Sequence, residues 1–324
     1  MTAHDAPASD DSSTGNPAGV PTETAGCVHL RFPGGRLRPE AWTALAQLAT
    51  EHSGALQLSD GGSVQIHGVQ DMDGLRERVE ASVLASRFGA GPGHTILASP
   101  LAGRLPGRSD LGDLPEQLDT ALGAHQWAAP RASALVIGLD DGSGDVLTHV
   151  PDLAAVVRPE DGLIRIHAGG QDTGFQTSSA DVVAVLVDAA VGLSRRPETV
   201  EVVNASTQMR DLVVVTLADH PLATRSAPTA PGTPAVGSDV PPVGWVDTLD
   251  GLVTLLAVVA DGMIPARLAE FLGAIERPST ISADRVIGLH GLTEYMAEQV
   301  VRVLAPMGMV FDAASPWVRG TPET

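Results

Sequence analysis

The sequence predicts an α+β fold in which one β-α-β-β-α unit is used twice, around a middle segment of a different, α/β kind. Three observations carry this. The stretch ALQLSDGGSVQIHGV at residues 55–69 returns in degraded form as STISADRVIGLHGL at residues 279–292. Both end in one signature, Val64-Gln65-Ile66-His67-Gly68-Val69 against Ile287-Gly288-Leu289-His290-Gly291-Leu292, and each follows a helical segment opened by proline. Pro39 and Pro265 lie 226 positions apart (265 − 39), and His67 and His290 lie 223 apart (290 − 67). A near-constant offset across helix and strand marks a duplicated supersecondary unit, not a chance hexapeptide.

The first unit opens with a strand at residues 27–32, closed by the turn Pro33-Gly34-Gly35. A helix begins at Pro39, whose missing N–H is harmless at the first helical position, and Glu40 complements the N-terminal dipole. Trp42, Leu45, Ala46 and Ala49 fall at i, i+3, i+4 and i+7 and form one apolar face, which Ser53-Gly54 ends. Two short runs at 55–59 and 63–68, joined by Asp60-Gly61-Gly62, read as a hairpin, with Leu56, Leu58, Val64 and Ile66 alternating against polar residues. A helix over 72–87 then turns Leu75, Val79 and Val83 inward. This order is most of a ferredoxin-like layer.

The middle segment predicts helices at 114–122 and 179–193 and strands at 134–139, 163–167, 200–203 and 212–217. The second unit starts at Val243-Gly244-Trp245-Val246, turns at Leu249-Asp250-Gly251, and continues in a strand at 252–259. Its helix from Pro265 places Leu268, Phe271, Leu272 and Ile275 on one face. A last helix turns Met296, Val300, Val303 and Leu304 inward before a closing strand at 308–311. The domain organisation expected is a disordered tail over 1–25, a half-domain over 26–93, the middle lobe over 94–219 and a proline-rich linker over 220–242. A second half-domain over 243–319 and a tail over 320–324 complete it.

A chain of 324 residues has room for two or three cores. With apolar residues at 43% and aromatic residues at 3%, those cores must be built from Ala, Val and Leu. A net charge of −19 argues against a nucleic-acid partner, because phosphate binding needs a basic surface. No apolar run reaches spanning length, so the expectation is a cytoplasmic protein with no membrane partner. Cys27 is the single cysteine, which excludes internal disulfides, four-cysteine zinc sites and cysteine-ligated clusters within these residues. It reads as a small buried strand residue, not a nucleophile.

The ten histidines show no helical i, i+4 pairing, so no metal site is expected. The glycine-rich run at 89–93 follows a helix and contains proline, which suits a linker better than a phosphate loop. The acidic run from Asp140 to Asp145 resembles a calcium loop, but Pro151 stands where the twelfth-position glutamate is needed, so it reads as a polar hairpin turn. His67 and His290, equivalent in the two copies, either face each other across a pseudo-twofold axis and reach one anionic ligand or are polar-face strand residues without a ligand. Arg104 and Arg108 follow Ser99-Pro100-Leu101-Ala102-Gly103, and Arg285 precedes the repeated strand; arginine suits bidentate carboxylate binding.

Several of these segments, taken in order, resemble the sulfite/nitrite reductase superfamily and, within it, precorrin-3B synthases of aerobic cobalamin biosynthesis. They are GRLRPEAWTALAQLA at 35–49, the hairpin ending VQIHGV, SPLAGR at 99–104, LDDGSGDV at 139–146, PVGWVDTLDG at 242–251 and LAPMGMVFDAASPWVR at 304–319. The resemblance implies two ferredoxin-like half-domains related by internal duplication, with an inserted reductase-type lobe. It also implies a sirohaem or precorrin-type tetrapyrrole and a [4Fe–4S] cluster, and in the precorrin branch a dioxygen-dependent hydroxylation with lactone formation. The sequence departs from the pattern in two ways. The cluster cysteines that follow the SPWVR-like segment in the family have no counterpart here, and glycine and histidine stand at Gly61 and His67 where the family carries arginine.

The expectation is therefore a precorrin-3B synthase-like oxidoreductase, with no catalytic residue assigned. His67, Ser99, Gly103, Arg104, Arg285 and His290 line its tetrapyrrole site, and a cluster-bearing protein is a candidate partner. Two alternatives stand beside it. One is a non-catalytic tetrapyrrole-binding protein or subunit of a split enzyme; the other is a remnant without a ligand, for which the missing arginines at Gly61 and His67 speak.

Overall fold

The computed structural model describes residues 26–59, 61–85, 93–125, 135–194, 205–227, 243–316 and 318. The expected tails at 1–25 and 320–324, the glycine run up to residue 92, a strand at 200–203 and most of the 220–242 linker lie outside the described residues.

In the first unit β1 (Cys27–Arg31), β2 (Arg36–Leu37), α1 (Pro39–Glu51), β3 (Ala55–Ser59), β4 (Ser63–His67) and α2 (Met72–Glu80) follow one another as the periodicities require. Pro39 opens α1, and Trp42, Leu45, Ala46 and Ala49 are all buried. Removing each large apolar side chain from water stabilises the fold by roughly 1.5–3 kcal/mol. Asp71 caps α2 by accepting from the Gly74 N–H at 2.9 Å. Helix α2 ends at Glu80 instead of 87. Ser82 accepts the Leu84 N–H at 3.0 Å, and the resulting turn buries Leu84 while Val83, expected inside, is 61% exposed.

The middle lobe contains β5 (His94–Ala98), α3 (Leu114–Ala124), β6 (Leu135–Asp140), β7 (Leu153–Val157), β8 (Ile164–Ala168), β9 (Gln171–Thr177), α4 (Val182–Ser194), α5 (Ala205–Leu217) and β10 (Thr224–Arg225). Its sheet runs β10-β9-β8-β7-β6-β5, parallel from β5 to β7 and antiparallel beyond. Strands β5, β7, β9 and β10 are additions to the expected set. The strand expected at 212–217 is instead the end of α5. There Met209, Val213 and Leu217 recur every four residues on a buried face while Val215 is exposed, so burial on a helical period overrides the β-branched composition. The 140–145 segment is not a hairpin turn either, because β6 and β7 run parallel and it opens the crossover between them.

The second unit is β11 (Gly244–Asp247), β12 (Val253–Val259), β13 (Met263–Pro265), α6 (Ala266–Ala274), β14 (Ser279–Ile281), β15 (Ile287–Leu292), α7 (Glu294–Leu304) and β16 (Met309–Val310). In α7, Ala297, Val300 and Leu304 are buried and Val303 is exposed, because the inward stripe runs at steps of three and four residues.

The duplication is visible residue by residue. The turn Pro33–Gly35 has positive φ at Gly34 (61°) and Gly35 (65°), and the turn Ala260–Gly262 has it at Asp261 (53°) and Gly262 (66°). The pairing Leu30↔Val64 is matched by Ala257↔Ile287, and Val28↔Ile66 by Leu255↔Leu289. The two units also exchange their short strands. β13 pairs with β3 (Met263↔Gln57, Ile264↔Leu56), and β2 pairs with β14 (Thr280↔Arg36, Ser279↔Leu37). Hence the sheets run β1-β4-β3-β13 and β11-β12-β15-β14-β2, with β16 on β12. Helices α1 and α6 pack together where Gly273 lets them approach Thr43 and Pro39, and both units share one continuous core. The Trp42 indole N–H donates to Ser279 Oγ at 2.7 Å, joining α1 of one unit to β14 of the other.

Candidate functional site

Side chains alternate across a strand, so each half-domain sheet has a face turned to the helices and a face turned away. The outward positions of the second sheet are Thr254 and Leu256 on β12, Thr280 on β14, His290 on β15 and Arg36 on β2. Apart from half-buried Arg36, each of these is 8% exposed or less. The middle-lobe segment after β5 covers this face: Leu101, Val246 and Leu256 form a small apolar cluster, with Leu105 and Val286 packed against it.

His290 is sealed beneath. Its Nδ1 pairs with Thr254 Oγ1 at 3.1 Å and its Nε2 with Thr280 Oγ1 at 2.9 Å, beside a β-bulge in β12. Complete burial, then the positive charge of Arg104 and Arg36, push its pKa well below the usual histidine value. It is a neutral imidazole held by two hydroxyls.

The equivalent face of the first sheet is more open than this one. Its outward positions include Cys27, His29 and Arg31 on β1, Gln65 and His67 on β4, and Gln57 on β3, all half-buried or exposed. Met263 on β13 is 41% exposed. The outward positions of β1, β3, β4 and β13 carry no Asp or Glu, although the chain has 39. Desolvation first, then Arg31 and His67, hold the His29 pKa below the usual value, and desolvation lowers that of Arg31. Among the described residues, the side chains of His29, Arg31 and His67 have no hydrogen-bond or ion-pair partner.

The other expected site residues divide. Arg104 lies in the covering segment. Desolvation lowers its pKa, with Asp250 and Asp110 opposing and Arg36 reinforcing, and its guanidinium has no direct partner among the described residues. Gly103 is exposed at φ 70°, in a turn packed against Asp110. Ser99 is a structural residue: its hydroxyl donates to Asp145 at 2.5 Å and accepts the Asp141 N–H at 3.1 Å.

Arg285, at φ 63°, sits in the turn between β14 and β15. That turn accepts the Gly61 N–H at Ala283 O (3.3 Å) and meets His149 through Asp284 (3.4 Å). The two hairpin tips therefore touch each other and the middle lobe. His67 and His290 occupy different sheets, and both ring nitrogens of His290 are engaged by threonine hydroxyls.

Asp140, Asp141 and Asp145 bring carboxylate oxygens within 4.8 Å of one another. Asp140 accepts the N–H groups of Gly142 (2.9 Å), Gly144 (2.8 Å) and Val146 (3.1 Å), and burial pushes its pKa up to about 6. Arg108 supplies the counter-charge, donating to Ser143 and Asp145 at 3.1 Å each and to Asp141 at 3.4 Å. The cluster is an internal ion-pair network.

Residues 21–81 match the nitrite/sulfite reductase ferredoxin-like half domain. The first unit is thus similar to this half domain, and the strand register carries the same architecture into its second copy. The structure is also similar to that of the Mycobacterium tuberculosis NirA protein, with a TM-score of 0.70 at 17% identity over 90% of this chain. The likeness shows a shared fold, and this chain spans 58% of the length of that one. No curated protein matches the chain. Among the described residues, no helix is long and apolar enough to cross a membrane.

His29, Arg31 and Arg36 were not singled out by sequence reasoning. The alternation Cys27-Val28-His29-Leu30-Arg31 already places the first two on one face; what was missing is the register that sets Cys27 opposite His67. A four-cysteine cluster does not fit the residues present, since Cys27 is alone and half-buried on β1. The outward positions of the first sheet carry Arg31, without an ion-pair partner among the described residues, and no Asp or Glu, a lining chemically compatible with carboxylates.

Proposed function

We propose that this chain is the tetrapyrrole-binding part of an oxidoreductase of the sulfite/nitrite reductase type, precorrin-3B synthase-like in its sequence motifs, whose cluster ligands lie outside residues 1–324. The observation that carries this reading is the open face of the first sheet, where Arg31, His29 and His67 converge without acidic neighbours in a protein of net charge −19. A guanidinium pairs bidentately with a carboxylate, and partial desolvation strengthens that pairing. Arg104 adds a further guanidinium on the side of the middle lobe, while Arg36 beside it is ion-paired with Glu116 at 3.3 Å. A bound sirohaem would supply the redox chemistry. The chain's own residues bind the carboxylates, orient the ring and shield one of its faces from water. The single cysteine favours a subsidiary form of the reading, in which this chain binds the macrocycle and a separate protein delivers electrons.

The test is a titration of the full chain with metal-free uroporphyrin, an octacarboxylate macrocycle, followed by fluorescence. Saturable 1:1 binding weakened at least tenfold by Arg31→Ala, and less by Arg104→Ala, is expected. No saturable binding, or binding indifferent to Arg31→Ala, overturns the reading.

A further inference from the structure

We infer that the free edge of β1 is a strand-docking site whose occupant is residues 17–22 of this same chain. The inference stands apart from the tetrapyrrole reading. The two half-domain sheets correspond strand for strand, β1-β4-β3-β13 in the first answering β12-β15-β14-β2 in the second. The second sheet carries more along one edge. There β11 pairs antiparallel with β12 (Trp245↔Leu255, Asp247↔Val253), and β16 pairs with the far end of the same strand. Among the described residues β1 has a neighbouring strand on one side only, β4. Its other side presents a row of backbone N–H and C=O groups, which is a template for an added strand.

The sequence supplies a strand for that edge. PVGWVDTLDG at 242–251, which contains β11, is answered without a gap by PAGVPTETAG at 17–26, with Pro, Gly and Gly in the same places and a shift of 225 (242 − 17). Trp245 then corresponds to Val20 (245 − 225). Val28 corresponds to Leu255, because Val28↔Ile66 and Leu255↔Leu289 are equivalent pairs. The pairing Trp245↔Leu255 therefore transfers to Val20 beside Val28. Val28 is a core residue, so an apolar neighbour suits it. The same register sets Gly19 and Pro21 beside His29 and Cys27, on the outward face.

Backbone chemistry agrees. The N–H groups of a strand alternate between its two edges, so Pro17 and Pro21, four residues apart, lack theirs on the same edge. Turning that edge to solvent leaves Ala18, Val20 and Thr22 to donate to β1, and proline within sheets is confined to such edge strands. Each proline also holds the residue before it extended. The competing occupants are a second copy and a foreign peptide. Only residues 23–25 separate the segment from Gly26, and a tether this short sets a local concentration on the order of millimolar, which a free competitor has to match.

The experiment follows amide hydrogen exchange in β1 and labelling of Cys27, the single cysteine, by an aromatic disulfide reagent. The full chain is compared with its Val20→Pro variant, which loses a donor aimed at β1, and with a truncation lacking residues 1–22. Both changes should speed both readouts by about tenfold or more, since protection then rests on β4 alone. A peptide of residues 13–25 added to the truncated chain should restore protection. Pro21→Ala, which returns an N–H to the solvent edge, should keep it. If the truncated chain does not fold, Val20→Pro decides alone. Equal exchange and labelling in wild type and Val20→Pro overturns the inference. Wild-type protection that fades on dilution, with a dimer by light scattering, assigns the edge to a second copy and overturns it as well.

Discussion

His290 stands in the second copy of the hairpin where His67 stands in the first, and the two rings have opposite surroundings. The pairings Val28↔Ile66 and Leu255↔Leu289 bring both histidines to one strand position, yet His67 is exposed and His290 is 1% exposed between two threonines. Duplication supplied two equivalent faces. The middle lobe closed one of them.

A buried neutral histidine couples stability to pH. The folded-state pKa of His290 lies well below the unfolded value near 6.5, so the unfolded chain binds the extra proton first. Its contribution is fully present above about pH 6.5 and falls by up to about 1.4 kcal/mol per pH unit as the pH drops below that. Urea unfolding from pH 7.5 to 5 should show a shallower loss in His290→Gln than in wild type. Equal slopes would refute the assignment.

Breaking the Trp42–Ser279 hydrogen bond should loosen the joint between the units. Ser279→Ala leaves a buried indole N–H unsatisfied, at a cost of about 1–3 kcal/mol. A lower unfolding midpoint with altered Trp42 fluorescence in the folded state is expected, and Thr50→Ala, which removes a part-buried hydroxyl bonded within its own helix, should cost less.

Gly35 and Gly54 separate strain from crowding. Both have positive φ, 65° and 77°, where an L side chain costs roughly 1–2 kcal/mol. A Cβ at Gly35 would sit 1.8 Å from Ile281 O in the other unit, whereas at Gly54 it meets nothing within 4 Å. Gly54→Ala should therefore lower stability by the strain alone, and Gly35→Ala should displace β14 and lower soluble yield.

Arg108 holds the acidic loop closed. Its side chain is 8% exposed and that of Asp141 is fully buried, so Arg108→Ala leaves an uncompensated buried charge at roughly 3–5 kcal/mol. The exposed Arg158–Glu160 pair offers the contrast, with Glu160→Ala costing about 0–1 kcal/mol. Similar chemical-denaturation midpoints for the two variants would contradict this.

The elements of both half-domains were legible because their apolar residues recur on clean periods of 2 and 3.6, as at Leu56, Leu58, Val64 and Ile66, and at Trp42, Leu45 and Ala49. The errors fall where period and composition disagree. The Val-rich 212–217 run reads as strand until Met209 is seen to share its buried face. Of the expected site residues, Ser99 was absorbed into the acidic loop and His290 into the second sheet, and Arg104 lies in the segment that covers that sheet.

Sequence alone determined the duplication, the α+β class, the single cysteine and the acidic charge, all of which are properties of order and composition along the chain. Only the tertiary structure decided that β2 and β13 change sheets, that Leu101 and Leu105 close the face of one copy, and that Cys27, His29 and Arg31 stay half-buried on the other. Those outcomes depend on which face of a strand another segment covers. Covering is a long-range packing event, and the local alternation of side chains encodes which residues share a face but not which face will be buried.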